Sequence, residues 1–277
     1  MSSHSGGSAA GRGSDGAIVL GNGRRLWAER RGSGRPLVLL PGMATHSGVW
    51  PPTFLESLGD DLLLIDHRAT GRSGRDRSAF SVADLADDVA AVLAAEKIEE
   101  ADVLGFSLGG LVAQELALSR RDVIRRLVLI GTSAGGDASH GLDAQAIQPL
   151  LDAMAAFDGE LAMRVSWEAS VSPAFAGDAA AYAEWSKVAT AAPFSLATLG
   201  HQYTAALGHD ASDRLNALQA PTVVVHGTRD ALIPFGDARR LARLIPGARL
   251  ELIEGAGHLV FWEQPDRVAG IVREHLA

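Results

Sequence analysis

Six short apolar runs, each of strand length and each bounded by turn residues, recur along the chain: RPLVLLPG, DLLLIDHR, ADVLGF, IRRLVLIG, APTVVVHG and ARLELIEG. Segments of helical period lie between them. Val82 to Glu96 sets Val82, Leu85, Ala86, Val89, Val92 and Leu93 on one face, and Leu108 to Ser119 repeats the pattern. Runs that are apolar throughout have to be covered on both faces, and amphipathic helices alternating with them supply that cover. The pattern predicts an α/β fold with a mostly parallel central sheet flanked by helices.

The alternation stops after Gly131 and resumes at Pro221. The interval 134–213 has no strand pattern but carries helical stretches at about 143–157, 178–189 and 194–207. It also holds both tyrosines of the chain, Tyr182 and Tyr203, together with Trp167 and Trp185. These features predict a helical cap over the carboxyl edge of the sheet, where open α/β sheets form their ligand crevices. Residues 17–133 and 214–277 then form the core. The first 16 residues, rich in glycine and serine, read as a flexible tail outside the fold.

Composition excludes several classes of function. A net charge of -8 without a long lysine-arginine block argues against a nucleic-acid partner. The absence of cysteine leaves no disulfide framework and no thiolate metal site, in keeping with a reducing compartment. No apolar run reaches the eighteen or so residues that span a bilayer, and no signal-peptide core opens the chain. A cytoplasmic protein is expected, monomeric or homodimeric, with no membrane partner.

The pattern G-x-S-x-G occurs twice, in GFSLGG at 105–110 and in GTSAGG at 131–136. Each serine follows an apolar run, so the upstream side does not separate them. Downstream of Ser107 stands LGGLVAQELALSRR, a sequence of good helix formers closed by arginines, whereas Ser133 leads into AGGDASHGLDAQ, which disfavours an immediate helix. A nucleophile on a strand-to-helix turn needs that helix, because its N-terminus presents free N–H groups and positive dipole to developing negative charge. Ser107 meets the requirement; Ser133 reads as a loop residue.

A serine hydroxyl attacks only with a base to take its proton. Six histidines follow Ser107. His140, His201 and His209 fall in or beside the inserted segment, His226 ends a strand, and His275 sits among charges on the terminal helix. His258, in IEGAGHLVFWEQP, follows the last strand in a glycine-bearing loop that can reach the same sheet edge. Asp230, in VVVHGTRDALIP, follows the penultimate strand and can orient the imidazole, while Asp237 is better explained as a helix cap. An oxyanion formed at the carbonyl would be held by the N–H groups of Leu108 and Met43, the latter freed by Gly42. Trp50, Phe106, Trp167, Trp185 and Tyr203 are the expected substrate-binding side chains.

With Ser107, Asp230 and His258 in that order, the chain resembles the α/β-hydrolase superfamily from about residue 25 to 277. DHRATGRSG is similar to the family's D-x-R-G-x-G-x-S turn and PGMATHSGVW to its oxyanion loop, although Pro41 stands where many members have histidine and Ala69 where many have glycine. FSVADLADDVAAVL followed by GFSLGGLVAQELA looks most like the branch of enol-lactone hydrolases, small-ester hydrolases and cofactor-free haloperoxidase-like proteins. The resemblance implies cleavage of a small-molecule carboxylic ester or lactone through an acyl-enzyme, with no metal or organic cofactor. Two other outcomes share the same residues: a lyase, cyclase or carbon-carbon bond hydrolase, and a non-catalytic hydrolase-like ligand-binding protein.

Overall fold

The six apolar runs all form strands in the computed structural model, which describes residues 11–12, 17–137, 139, 143–192 and 195–277. In chain order these strands are β4 (Leu37–Leu40), β5 (Leu62–Asp66), β6 (Ala101–Phe106), β7 (Ile124–Ile130), β8 (Thr222–Gly227) and β9 (Arg249–Ile253). They are preceded by β1 (Gly11–Arg12), β2 (Ala17–Val19) and β3 (Arg25–Arg31). Among the described residues one sheet runs β1-β2-β3-β5-β4-β6-β7-β8-β9, antiparallel from β1 to β5 and parallel from β5 to β9. The predicted tail lies outside the described residues at 1–10 and 13–16. Its other two residues, Gly11 and Arg12, pair with Val19 and Ile18, so the segment excluded from the fold reaches the sheet edge there.

Period-two alternation sorts the strand side chains between two apolar layers. Val38, Leu40, Leu63, Ile65, Val103 and Leu127 pack on one face against α2 (Val82–Ala95), α3 (Leu108–Ser119) and α8 (Phe235–Leu244). Leu37, Leu39, Leu62, Leu64, Leu104 and Val128 pack on the other against α1 (Pro52–Leu58), α9 (Val260–Glu263) and α10 (Pro265–Leu276). Both predicted helices form, and Ser81 and Asp84 close a reciprocal capping box at the start of α2.

Among the described residues four α-helices lie between β7 and β8: α4 (Ala144–Ala155), α5 (Gly159–Ser170), α6 (Ala179–Ala191) and α7 (Leu196–Leu207). Each begins at a side-chain cap, from Asp143, Asp158, Asp178 and Ser195 respectively. Three match the predicted stretches; Phe194, the first residue of the third stretch, lies outside the described residues, as does His140. Helix α5 was not predicted. It starts at Gly159, two residues after Phe157, which turns the chain at φ 56. Among the described residues no helix is long and apolar enough to cross a membrane.

The chain goes from β4 to β5 on one side and returns to β6 on the other side of β4. The carboxyl ends of β4 and β6 therefore meet where the strand order reverses, and a crevice opens at such a point.

Candidate active site

Ser107 sits between β6 and α3 at φ 52 and ψ -117, a backbone conformation that costs a non-glycine residue about 1–3 kcal/mol. Its surroundings hold it there. The Ser107 N–H donates to Ile130 O at 2.9 Å, and its carbonyl accepts from Gly110 N at 2.8 Å and from Thr132 Oγ1 at 2.9 Å. Glycines flank it because no other residue fits: a methyl group at Gly105 would collide with the Gly109 carbonyl, and one at Gly109 with the Leu40 and Pro41 carbonyls. Gly110 lies where a methyl group would come 2.6 Å from Thr132 Cβ.

The second G-x-S-x-G is built differently. Gly131 and Gly135 adopt φ 55 and 72, in the left-handed region that favours glycine, and a methyl group at Gly135 would also collide with the His209 carbonyl. Ser133 is buried, and its Oγ accepts the N–H of Gly135 at 3.2 Å. No helix starts there.

Asp230 leaves β8 in a turn whose N–H groups, from Leu232 and Ile233, both donate to Oδ1 at 2.9 Å. Its Oδ2 accepts from His258 Nδ1 at 2.7 Å. With Nδ1 spent on Asp230, the basic nitrogen of His258 is Nε2. Burial alone would raise the Asp230 carboxyl. The charge of His258 and hydrogen bonds from His226 and His258 outweigh it, and the group is held well below the usual carboxylate range.

His258 lies in the loop after β9, its ring 4.7 Å from that of Phe106, the neighbour of Ser107. Gly131 makes room for it: a methyl group there would come 3.2 Å from both His258 Nδ1 and Phe106 Cε2. A methyl group at Gly42 would likewise come 3.3 Å from Ser107 Cβ, which seats the loop after β4 against the serine. The structure thus brings Ser107, Asp230, His258 and the 42–50 loop to one sheet edge. The N–H groups of Leu108 and Met43 donate to no acceptor among the described residues.

The predicted substrate-binding side chains divide. Phe106 and Trp50 are buried beneath the site, with Trp50 4.7 Å from Phe261 and 6.2 Å from Phe106 between ring centroids. Trp167 is buried in an aromatic cluster with Phe175, Tyr182, Trp185 and Trp262, and its indole N–H donates to Ala176 O. Tyr203 is 37% exposed on α7.

Sequence reasoning passed over several residues of this region. His226, on β8, is fully buried with Nε2 3.1 Å from Asp230 Oδ2 and 2.8 Å from Ile233 O. Its spacing of four from Asp230 was the available signal. Glu263 accepts the N–H of Gly257 at 2.7 Å and both donors of Ser172, tying the His258 loop to the segment after α5. In the DHRATGRSG turn, Asp66 accepts the N–H groups of Ser47 and Arg72, and His67 Nε2 lies 3.1 Å from Pro41 O. That turn braces the loop after β4. Ala69 adopts φ 61 within it, which explains the glycine common at this place.

Residues 35–265 match the alpha/beta hydrolase fold family. The chain belongs to that family. It is 30% identical to a putative carbamate hydrolase, RutD, of Azorhizobium caulinodans over 87% of this chain and 91% of the relative. It is 28% identical to a pimeloyl-[acyl-carrier protein] methyl ester esterase of Nitrosomonas europaea, over 86% and 94%. A hydrolase structure from Pseudomonas aeruginosa superimposes with a TM-score of 0.79 at 27% identity, covering 99% of this chain and all of the other. Est816, described as an N-acyl homoserine lactone degrading enzyme, follows with a TM-score of 0.74 at 28% identity, covering 91% and 97%. The protein is therefore a hydrolase of α/β fold whose relatives include esterases, a lactone-degrading enzyme and carbamate hydrolases.

Proposed function

We propose that this protein hydrolyses a small carboxylic ester or lactone through an acyl-enzyme on Ser107. The observation that carries the reading is the placement of a strained elbow serine at the sheet edge where the Asp230–His258 pair, joined at 2.7 Å, also lies.

In this mechanism Nε2 of His258 takes the proton of the Ser107 hydroxyl as its oxygen attacks the carbonyl. The N–H groups of Leu108 and Met43 hold the oxyanion, the first at a helix N-terminus where the dipole adds to the hydrogen bond. His258 returns the proton to the leaving alkoxide, then deprotonates the water that cleaves the acyl-enzyme and regenerates Ser107. Asp230 keeps the proton on Nδ1 and stabilises the imidazolium. The cap, 134–213, selects the acyl group and excludes water without touching the reacting atoms.

The carbamate hydrolase relatives favour a second substrate class, since a carbamate carbonyl enters the same cycle. A panel of short esters, lactones and carbamates tests the choice. Intact-mass analysis after treatment with a serine-directed phosphonate tests the nucleophile: one adduct is expected in the wild type and in Ser133→Ala, and none in Ser107→Ala. An adduct retained in Ser107→Ala would overturn the assignment. Labelling without turnover on any of the three substrate classes would favour lyase, cyclase or carbon-carbon cleavage.

A further inference from the structure

Helix α7 of the cap carries a glutamine, Gln202, that is wholly buried. Its Oε1 accepts the N–H of Ala44 at 2.8 Å, a contact between residues 158 apart in sequence. Ala44 directly follows Met43 and adopts φ 56, so it needs an anchor to persist in the left-handed region. The other arm of the carboxamide, Nε2, is buried with no partner among the described residues. A fully buried glutamine with half its capacity unspent is a poor choice for packing alone.

The two peptide planes flanking Met43 are each held from outside. The first contains the Gly42 carbonyl and, pointing the opposite way, the Met43 N–H; Thr45 Oγ1 donates to that carbonyl at 3.1 Å. The second contains the Ala44 N–H, which Gln202 accepts. With both planes fixed, the direction of the Met43 N–H is fixed as well. A further link ties the loop to the cap: His46 Nδ1 accepts the Gly48 N–H, and its Nε2 lies 3.1 Å from Val188 O on α6.

We propose that Gln202 is a positioning residue: docked against Ala44, it aims the Met43 N–H at the developing oxyanion, so the oxyanion site is complete only with α7 seated. This rests on the acyl-enzyme reading above. Gln202 touches no reacting atom and acts through the loop.

The test is steady-state hydrolysis of p-nitrophenyl acetate by wild type, Gln202→Met and Gln202→Glu, with rates divided by the sites titrated with phosphonate. Gln202→Met keeps the volume and loses the acceptor. Its kcat per titrated site should fall about 10- to 100-fold at nearly constant KM, less than the roughly 10²- to 10³-fold lost when an oxyanion donor is deleted. Gln202→Glu keeps the acceptor but, ionised, sets a negative charge beside the oxyanion, so its rate relative to wild type should rise as pH falls. A purely structural role moves the number of titrated sites and leaves both readouts alone. Should Gln202→Met fail to fold, the pH dependence of Gln202→Glu decides. A kcat per site within twofold of wild type in Gln202→Met, or a flat Gln202→Glu ratio across pH, overturns the proposal. A wild type that neither labels nor turns over overturns the Ser107 reading and this inference with it, an outcome distinct from an active wild type with unaffected variants.

Discussion

His226 and Asp230 face each other in a fully buried contact, Nε2 of the imidazole 3.1 Å from Oδ2 of the carboxylate. That oxygen is also the one that binds His258, so a single atom joins two imidazoles. Because His226 Nε2 also lies 2.8 Å from the Ile233 carbonyl, it carries the proton and donates to both. Burial would lower the basicity of His226, but its hydrogen bond to Asp230 and the charge there raise it. His226→Phe removes one donor from the carboxylate. A hydrogen bond to a charged group contributes about 1.5–3 kcal/mol, so kcat should fall by up to about 10- to 150-fold with KM unchanged. Ester kinetics of a variant with native circular dichroism check this; an unchanged kcat would reduce His226 to a packing residue.

Asp230→Asn should cost far more. The geometry survives, but an amide in place of Oδ2 favours the wrong tautomer of His258, and triads of this kind lose on the order of 10⁴-fold in turnover. Turnover near that of the wild type would point to another acid, and Asp237 would be the next to substitute.

His67 gives a prediction about pH. It is 2% exposed, and burial pushes its pKa down to about 4 from an ordinary 6.5, despite the Pro41 carbonyl and Asp66, which act the other way. The unfolded chain binds this proton below about 6.5 and the folded one only below about 4. The contribution of neutral His67 is therefore complete above about pH 6.5 and is lost as pH falls towards 4, by about 3 kcal/mol in total. His67→Gln keeps an N–H for Pro41 and cannot titrate. Urea unfolding at about pH 7 and about pH 4.5 should show a smaller loss in that variant than in wild type; equal losses would assign the slope to other groups.

The cap residues separate by experiment. Trp167 of α5 is buried against Trp262 of α9, so Trp167→Ala should cost about 3–5 kcal/mol of stability. Tyr203→Ala, at a part-exposed position, should change stability by less than about 0.5 kcal/mol. If Tyr203 meets the substrate, its loss should shift the preference between short and bulky acyl esters about tenfold in kcat/KM. An unchanged preference would take Tyr203 off the substrate surface.

The central sheet was legible because buried parallel strands have to be apolar throughout, and the runs ending at Leu40, Phe106 and Gly227 announce themselves. Strands β2 and β3 were not, since RLWAERR is half solvent-facing and its charges hide the alternation. Ser107, Asp230 and His258 were candidates because each follows an apolar run, and the structure puts all three after strands at one sheet edge. His226 could not be valued in the same way: a histidine that closes an apolar run looks like a strand end until the fold turns Asp230 back onto it. Gln202 carried no signal at all, because its partner is a backbone N–H 158 residues away, and backbone donors leave no mark in a sequence.

The two G-x-S-x-G stretches have a consequence for how such motifs travel through evolution. Around Ser107 the glycines are dictated by the Gly109, Leu40 and Pro41 carbonyls, which is a matter of packing alone. A chain with another residue in place of Ser107 would still be obliged to keep Gly105 and Gly109 to seat α3 on the sheet. The glycines answer to architecture; on the acyl-enzyme reading proposed above, loss of activity would first be visible as a single changed letter inside an intact frame.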